Sequence, residues 1–252
     1  LILIDDVFAI GIHTHVKSVA IGDFDGDGAK DIAVLGSGNN VGALIKPEIF
    51  LFRGPSWKNN SRLSEEVSMK ITFPFIHYNQ RTGVFFLDMT GDKKDELVIH
   101  FSSSIYVFQG RQDIPLSLDF SEADLRIVGP VTDIEQVTGG DLNNDGRGDL
   151  IVGYEIASDP ARTEWHTIQG QPSFPIKTMD SSVHATTKII VPYTVSVFPG
   201  PKMDVKDIDE NGWQDMVLSS PDFTKSEVDV LFGKQDFPST WDLRTTSADV
   251  RI

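Results

Sequence analysis

D-F-D-G-D-G-A-K-D, at Asp23–Asp31, runs straight into the apolar segment Ile32-Ala33-Val34-Leu35, and the same arrangement returns three times. The other copies are D-M-T-G-D-K-K-D-E from Asp88, D-L-N-N-D-G-R-G-D from Asp141, and D-I-D-E-N-G-W-Q-D from Asp207. Oxygen-bearing side chains stand at loop positions 1, 3, 5 and 9 in every copy. Alternating oxygens in a tight turn suit one hard cation, and Ca2+ takes roughly 6–8 of them from carboxylates, carbonyls and water. The candidate side-chain ligands are Asp23, Asp25, Asp27 and Asp31; Asp88, Thr90, Asp92 and Glu96; Asp141, Asn143, Asp145 and Asp149; and Asp207, Asp209, Asn211 and Asp215. Position 7 varies freely (Ala29, Lys94, Arg147, Trp213), as expected where only the backbone carbonyl coordinates.

Without a cation, Asp23, Asp25, Asp27 and Asp31 would repel at close range and raise one another's pKa. Mg2+ suits the loops less, because it keeps several waters and a stricter octahedron. Zn2+ would want His or Cys, and no loop has either. Gly28, Gly146 and Gly212 stand at position 6, where the chain must bend and a Cβ is expected to crowd the turn. The second loop departs from the pattern with Lys93 at that position and Thr90 at position 3, and is the weakest site on sequence. An EF-hand would place a bidentate Glu at position 12. Here position 12 is Val34, Ile99, Val152 and Leu218, so that motif is excluded. A metal-free Asx-turn would explain one such loop, but not four with the position-9 acid retained.

The segments after the loops, D-I-A-V-L, E-L-V-I-H, D-L-I-V-G and D-M-V-L-S, read as buried strands. A second strand ending in glycine follows each: I-F-L-F-R-G to Gly54, I-Y-V-F-Q-G to Gly110, W-H-T-I-Q-G to Gly170 and V-D-V-L-F-G to Gly233. V-S-V-F-P-G, ending at Gly200, belongs by spacing just ahead of the fourth loop. The outer part repeats as well: G-R-Q-D-I-P-L-S-L-D-F with A-D-L-R-I, and G-K-Q-D-F-P-S-T-W-D-L with A-D-V-R-I. A unit of about 60 residues with four short, glycine-bounded strands predicts an all-β fold, with each unit one blade of a β-propeller. The units start near residues 16, 81, 134 and 200 of a single propeller segment spanning 1–252.

These residues resemble the FG-GAP repeats of integrin α-subunits and their relatives, on the D-x-[D/N/T]-x-[D/N]-G-x-x-[D/E] loop and its flanking strands. The resemblance implies a propeller whose loops hold about four Ca2+ and whose other loops bind a protein or glycan partner. It also implies up to seven blades, of which this chain would be a part; Leu1–Ile4 reads as the outer strand of a blade preceding Asp23. The expected role is a non-catalytic adhesion or ligand-binding module, extracellular or at the cell surface. The alternatives are an accessory propeller of a larger secreted enzyme, such as a glycosylphosphatidylinositol-specific phospholipase D, or a propeller lectin.

Net charge is −15, from 37 acids and 22 bases, and four Ca2+ would bring it to about −7 (−15 + 8). No basic stripe exists to neutralise phosphates, which argues against nucleic acid and anionic membrane surfaces. Cysteine is absent, so Ca2+ is the expected staple. Such sites load at extracellular Ca2+, on the order of 10⁻³ M. No apolar run approaches the ~18 residues needed to span a bilayer. Asn59-Asn60-Ser61 is an N-glycosylation sequon.

Arg147-Gly148-Asp149 spells a tripeptide that integrins recognise, but Asp149 belongs to the loop and is expected to be withheld from partners. His13 and His15 would share a strand face without a third ligand, and His100 and His166 read as packing residues. Trp165 and Trp241 sit at recurrent strand positions and read as core, whereas Trp57 and Trp213 lie in loops and could stack on a partner. No nucleophile elbow, phosphate-binding loop or H-E-x-x-H motif is present, so no catalytic role is expected.

Overall fold

Ile32, Ala33, Val34 and Leu35 are all buried, as are Leu97, Val98 and Ile99, and Leu150, Ile151 and Val152. A half-buried strand alternates apolar and polar residues; an unbroken apolar run needs cover on both faces. Stacked blades give that cover, and the strand after each loop is an inner strand of its sheet. In the computed structural model, residues 16–41, 44–54, 67–74, 76–77, 81–101, 103–130, 134–156, 162–192, 202–221 and 226–252 are described. The expectations for Leu1–Ile4, His13, His15, Trp57, the Asn59 sequon and the V-S-V-F-P-G strand lie outside these residues.

Among the described residues the chain is all-β apart from single helical turns, and its strands form propeller blades. In the first sheet β1 (Val16–Gly22), β2 (Asp31–Val41), β3 (Leu44–Phe52) and β4 (Val67–Thr72) pair in sequence order, and β5 (Ile76–His77) joins β3. In the second, β6 (Thr82–Leu87), β7 (Glu96–Phe101) and β8 (Ser104–Phe108) lead to β10 (Leu125–Val128). Between them in sequence, β9 (Ser117–Asp119) leaves its own blade and adds in parallel to β4. The third blade is β11 (Ile134–Gly140), β12 (Asp149–Ile156), β13 (Arg162–Ile168) and β15 (Thr187–Pro192). Between β13 and β15 in sequence come β14 (Thr178–Asp180), which pairs with β10 of the second sheet, and a helical turn, α1 (Ser181–His184). The fourth is β16 (Lys202–Lys206), β17 (Asp215–Pro221), β18 (Ser226–Leu231) and β20 (Val250–Arg251). From this blade β19 (Thr240–Asp242) adds in parallel to β15. A short strand donated by the next blade thus covers an edge that would otherwise expose unpaired N–H and C=O groups.

The chain divides into two compact units, one holding the first sheet and most of the second, the other the third and fourth. In the first unit Phe24, Leu35, Ile49, Leu51, Met69, Ile71, Phe86, Leu97 and Phe108 form one cluster. In the second, Leu142, Ile151, Trp165, Ile189, Met216, Leu218, Leu231 and Trp241 do so. Trp165 and Trp241 are core residues, as their strand positions predict. Three of the loops close at the same register: Gly22 faces Asp31, Gly140 faces Asp149, and Lys206 faces Asp215.

Candidate metal-binding loops

The position-1 aspartate builds each turn. In the first loop, Asp23 Oδ1 accepts the N–H groups of Gly26 (2.8 Å) and Asp27 (3.1 Å), and its Oδ2 accepts that of Gly28 (2.9 Å). Asp141 receives the N–H of Asp145 (3.0 Å) and Gly146 (2.8 Å), and Asp207 those of Asn211 (3.2 Å) and Gly212 (2.8 Å). Positions 3 and 5 repeat the device two residues at a time. Asp25, Asn143 and Asp209 accept from position 5, and Asp27, Asp145 and Asn211 accept from position 7. These are Asx-turns in series, and they aim the oxygens into one hollow.

The hydrogen bonding forces two left-handed residues per loop. Position 6 has φ +84° at Gly28, +83° at Gly146 and +90° at Gly212, and position 4 has +72° at Gly26, +53° at Asn144 and +60° at Glu210. A Cβ at Gly28, Gly146 or Gly212 would meet nothing within 4 Å, so crowding is not the reason for glycine there. The backbone conformation is, since an L-residue pays for a left-handed φ even in open space. Lys93 takes the same turn with φ +68°, so the second loop keeps its bend despite the substitution. There Gly91 N–H bonds Asp88 Oδ1 at 2.7 Å, Thr90 and Glu96 are buried, Asp92 is exposed, and Asp88 and Lys94 are half-buried.

Position 9 does work that the spacing did not reveal. Asp31 Oδ2 accepts Phe24 N–H (2.9 Å) and its Oδ1 accepts Gly54 N–H (2.7 Å). Asp149 binds Leu142 (3.2 Å) and Gly170 (3.0 Å), and Asp215 binds Ile208 (2.9 Å) and Gly233 (2.8 Å). All three carboxylates are buried and tie the start of the loop to the glycine that ends the second strand. The glycine is needed for close approach: a Cβ at Gly54 would lie 2.7 Å from Ala29 Cβ, and one at Gly170 2.7 Å from Arg147 Cβ. The recurrence of that glycine 14 to 23 residues after the position-9 acid is the sequence signal. Burial pushes Asp31 and Asp149 up to about 6, against the lowering effect of those N–H bonds; the neighbouring loop carboxylates add a further rise.

Two loops bring three carboxylates together among the described residues. Oxygens of Asp23, Asp25 and Asp27 lie within 4.8 Å of one another, and so do those of Asp207, Asp209 and Asp215. Carboxylate oxygens in a hollow of that size fit a hard cation, and the second lone pair of each remains available beside its N–H bond. Cationic side chains modify two of the loops. Arg53 Nε pairs with the buried Asp25, and Arg147 reaches back to Asp145 Oδ2 at 2.7 Å. Position 7 is therefore not indifferent in the third loop, because Arg147 holds a candidate ligand. Trp213 is half-buried in the fourth.

Neighbouring loops touch through one recurring bond, from the position-8 N–H to the position-1 carbonyl of the preceding loop. It joins Asp95 to Asp23 (2.7 Å), Gly148 to Asp88 (2.6 Å) and Gln214 to Asp141 (3.4 Å). Position 2 fills the space behind it: Phe24, Met89 and Leu142 are buried, whereas Ile208 in the fourth loop is 45% exposed. The Arg147-Gly148-Asp149 tripeptide cannot serve as a recognition motif, since Asp149 is 1% exposed and both its oxygens are bound.

The histidines behave as packing residues. His100 sits over Gly83, where a Cβ would strike the imidazole, and burial lowers its pKa to about 4. His166 is buried between Ser181 Oγ (3.1 Å) and Glu164 Oε2 (3.3 Å), and Ser181 Oγ donates to Tyr154 Oη at 3.0 Å. Ser181 is wholly buried, so this serine–histidine–glutamate chain is out of reach of a substrate.

Residues 88–152 match the family model described as an FG-GAP-like repeat, which runs from the second loop to the strand after the third. No curated protein matches the chain by sequence. Among solved structures it is similar to an exotype rhamnogalacturonan lyase, YesX, at 13% identity with a TM-score of 0.51, covering 87% of this chain and 45% of that one. It thus spans less than half the length of that lyase, and the likeness concerns the fold alone. BBS1N in complex with ARL6DN gives 12% identity, a TM-score of 0.47, and coverage of 96% and 57%. The V. cholerae biofilm matrix protein Bap1 gives 13%, 0.42, and 93% and 28%.

Proposed function

We propose that this FG-GAP-repeat β-protein is a calcium-built, non-catalytic scaffold that holds its loops rigid for an extracellular protein or glycan partner. The observation that carries the reading is the convergence of Asp207, Asp209 and Asp215, and of Asp23, Asp25 and Asp27, on turns of one hydrogen-bond pattern. Bound Ca2+ would cancel the repulsion within each cluster and lock the turn that joins two inner strands. The fourth loop would hold the ion with Asp207, Asp209, Asn211, Asp215 and the Trp213 carbonyl. The first would use Asp23, Asp25, Asp27, Asp31 and the Ala29 carbonyl once Arg53 yields its hold on Asp25. The second and third loops, with Lys93 and Arg147, would bind more weakly.

An extracellular setting follows from the affinity expected of such loops, which saturate near millimolar Ca2+. Among the described residues no helix is long and apolar enough to cross a membrane. Calcium titration calorimetry, paired with unfolding scans in Ca2+ and in chelator, tests the scaffold. The expected result is two tighter and two weaker ions with a marked rise in unfolding temperature. A melting curve indifferent to chelator would overturn the reading.

A further inference from the structure

The second and fourth blades share an ion pair at the outer strand that the third blade lacks. In the second blade, Gln109 N–H bonds Asp124 Oδ2 (2.8 Å) and Arg111 pairs with the same carboxylate (2.6 Å). The fourth blade repeats this with Phe232 N–H on Asp249 (2.8 Å) and Lys234 at 3.6 Å. Beneath the pair the two blades are apolar, with Val107 and Leu125 in one and Val230 and Val250 in the other.

In the third blade the glutamine stays, as Gln169, but the ion pair and the apolar pair have both changed. Thr186 replaces the aspartate and Gln171 the cation, while Thr167 and Thr187 replace the apolar pair. The backbone frame is retained: Thr186 N–H bonds Thr167 O at 2.9 Å, as Asp124 N–H bonds Val107 O at 2.9 Å. Beside Thr186 lies a polar cavity of about 100 Å3, lined by Thr167, Thr187, Gln169, Gln235, Asp236 and Phe237, with the third loop on its far side. The Thr167 hydroxyl is buried here without a hydrogen-bond partner, in a residue only 4% exposed. A buried hydroxyl left unsatisfied costs on the order of 1–3 kcal/mol, and the valines of the sister blades show that the fold does not require it.

The geometry points to a binding site for one neutral saccharide unit in the third blade, with Thr167 as the buried anchor of a sugar hydroxyl. This deepens, and rests on, the reading of the chain as a binding module. Hydroxyls and side-chain amides both donate and accept, which matches a sugar hydroxyl doing the same. Phe237 supplies an apolar wall for the C–H face of a ring. Asp236 on the lining disfavours an anionic sugar. An apolar cavity of about 150 Å3 admits benzene, so about 100 Å3 takes one edge of a pyranose with the remainder in solvent.

Saturation-transfer NMR on the full chain in Ca2+ buffer, with methyl glycosides of glucose, galactose, mannose and rhamnose and with galacturonate, tests the site. At least one neutral glycoside is expected to bind, with galacturonate weaker than it. Thr167→Val, the residue the second and fourth blades carry, should weaken that glycoside roughly three- to tenfold. Absence of binding by every neutral glycoside, equal binding by the variant, or galacturonate as the best ligand would each overturn the proposal. Unfolding of both proteins with and without chelator separates the two readings. A retained Ca2+ effect beside absent sugar binding condemns the pocket and not the scaffold.

Discussion

The third and fourth blades carry loops with one backbone and different chemistry. Asp141 and Asp207 accept the same two N–H groups, and Asp149 and Asp215 staple the same two ends. Around that shared frame the third loop has Arg147 clasping Asp145 and Leu142 buried, whereas the fourth has a three-carboxylate cluster and Ile208 in solvent. The third strands diverge too: β13 offers His166 to Glu164, while β18 offers Asp229 to Arg251 at 2.6 Å. Turn formation and the proposed metal capacity are thus separable. The first depends on acids at positions 1 and 9, the second on what positions 3, 5 and 7 leave free.

The largest effect should come from the shared staple. Asp149→Ala strands two buried N–H groups and Asp215→Ala two half-buried ones, each with a charged acceptor removed, at a cost of about 3 kcal/mol by chemical denaturation in chelator. Equal losses would sharpen the comparison. A silent Asp215→Ala would break it, by showing that the fourth turn stands without its staple.

Arg147→Ala frees Asp145 and removes a cation from the third loop, so Ca2+ affinity there should rise about fivefold by calorimetry. Trp213→Ala in the fourth loop should leave affinity unchanged, since only its carbonyl would coordinate an ion. A rise in both, or in neither, would deny the arginine its role.

The strand difference has a pH signature. The hydrogen bond from His166, helped by Arg162, holds Glu164 down at about 2, against the opposing effect of burial. A carboxylate whose folded pKa lies below its unfolded value stabilises fully above the unfolded pKa of 4.5, and that stability is lost as pH falls towards 2. His166→Gln should therefore reduce stability by about 1 kcal/mol at pH 6 after solvent screening, with the deficit shrinking below pH 4. Unfolding midpoints from pH 6 to 3 for both proteins check it, and a deficit independent of pH would deny the pair.

The smallest contrast is at position 4. Glu210 and Asn144 share a left-handed backbone, which asparagine tolerates better than glutamate. Glu210→Gly should gain about 0.5 kcal/mol and Asn144→Gly close to nothing, measured as shifts in the denaturation midpoint. A gain at Asn144 as large as at Glu210 would place the strain elsewhere in the turn.

Local chemistry wrote much of this fold into the sequence. The acids at fixed spacing forced the turns, and the unbroken apolar runs after them announced strands buried on both faces. The glycines ending I-F-L-F-R-G, W-H-T-I-Q-G and V-D-V-L-F-G marked the third strand of three blades. These features come from neighbours within one turn or one strand, so a linear reading recovers them. Pairings between distant residues were illegible. Nothing in the spacing told that Asp31 answers Gly54, that Arg53 occupies Asp25, or that Gly148 donates to Asp88, because each joins residues that only strand pairing brings together. The need for glycine at position 6 was visible, but its reason, the sign of φ and not crowding, required the folded backbone. The cavity in the third blade was likewise hidden: the exchanges Val107 to Thr167 and Asp124 to Thr186 are legible as letters. That they remove an ion pair beside one cavity and strand a hydroxyl in it is a property of packing alone.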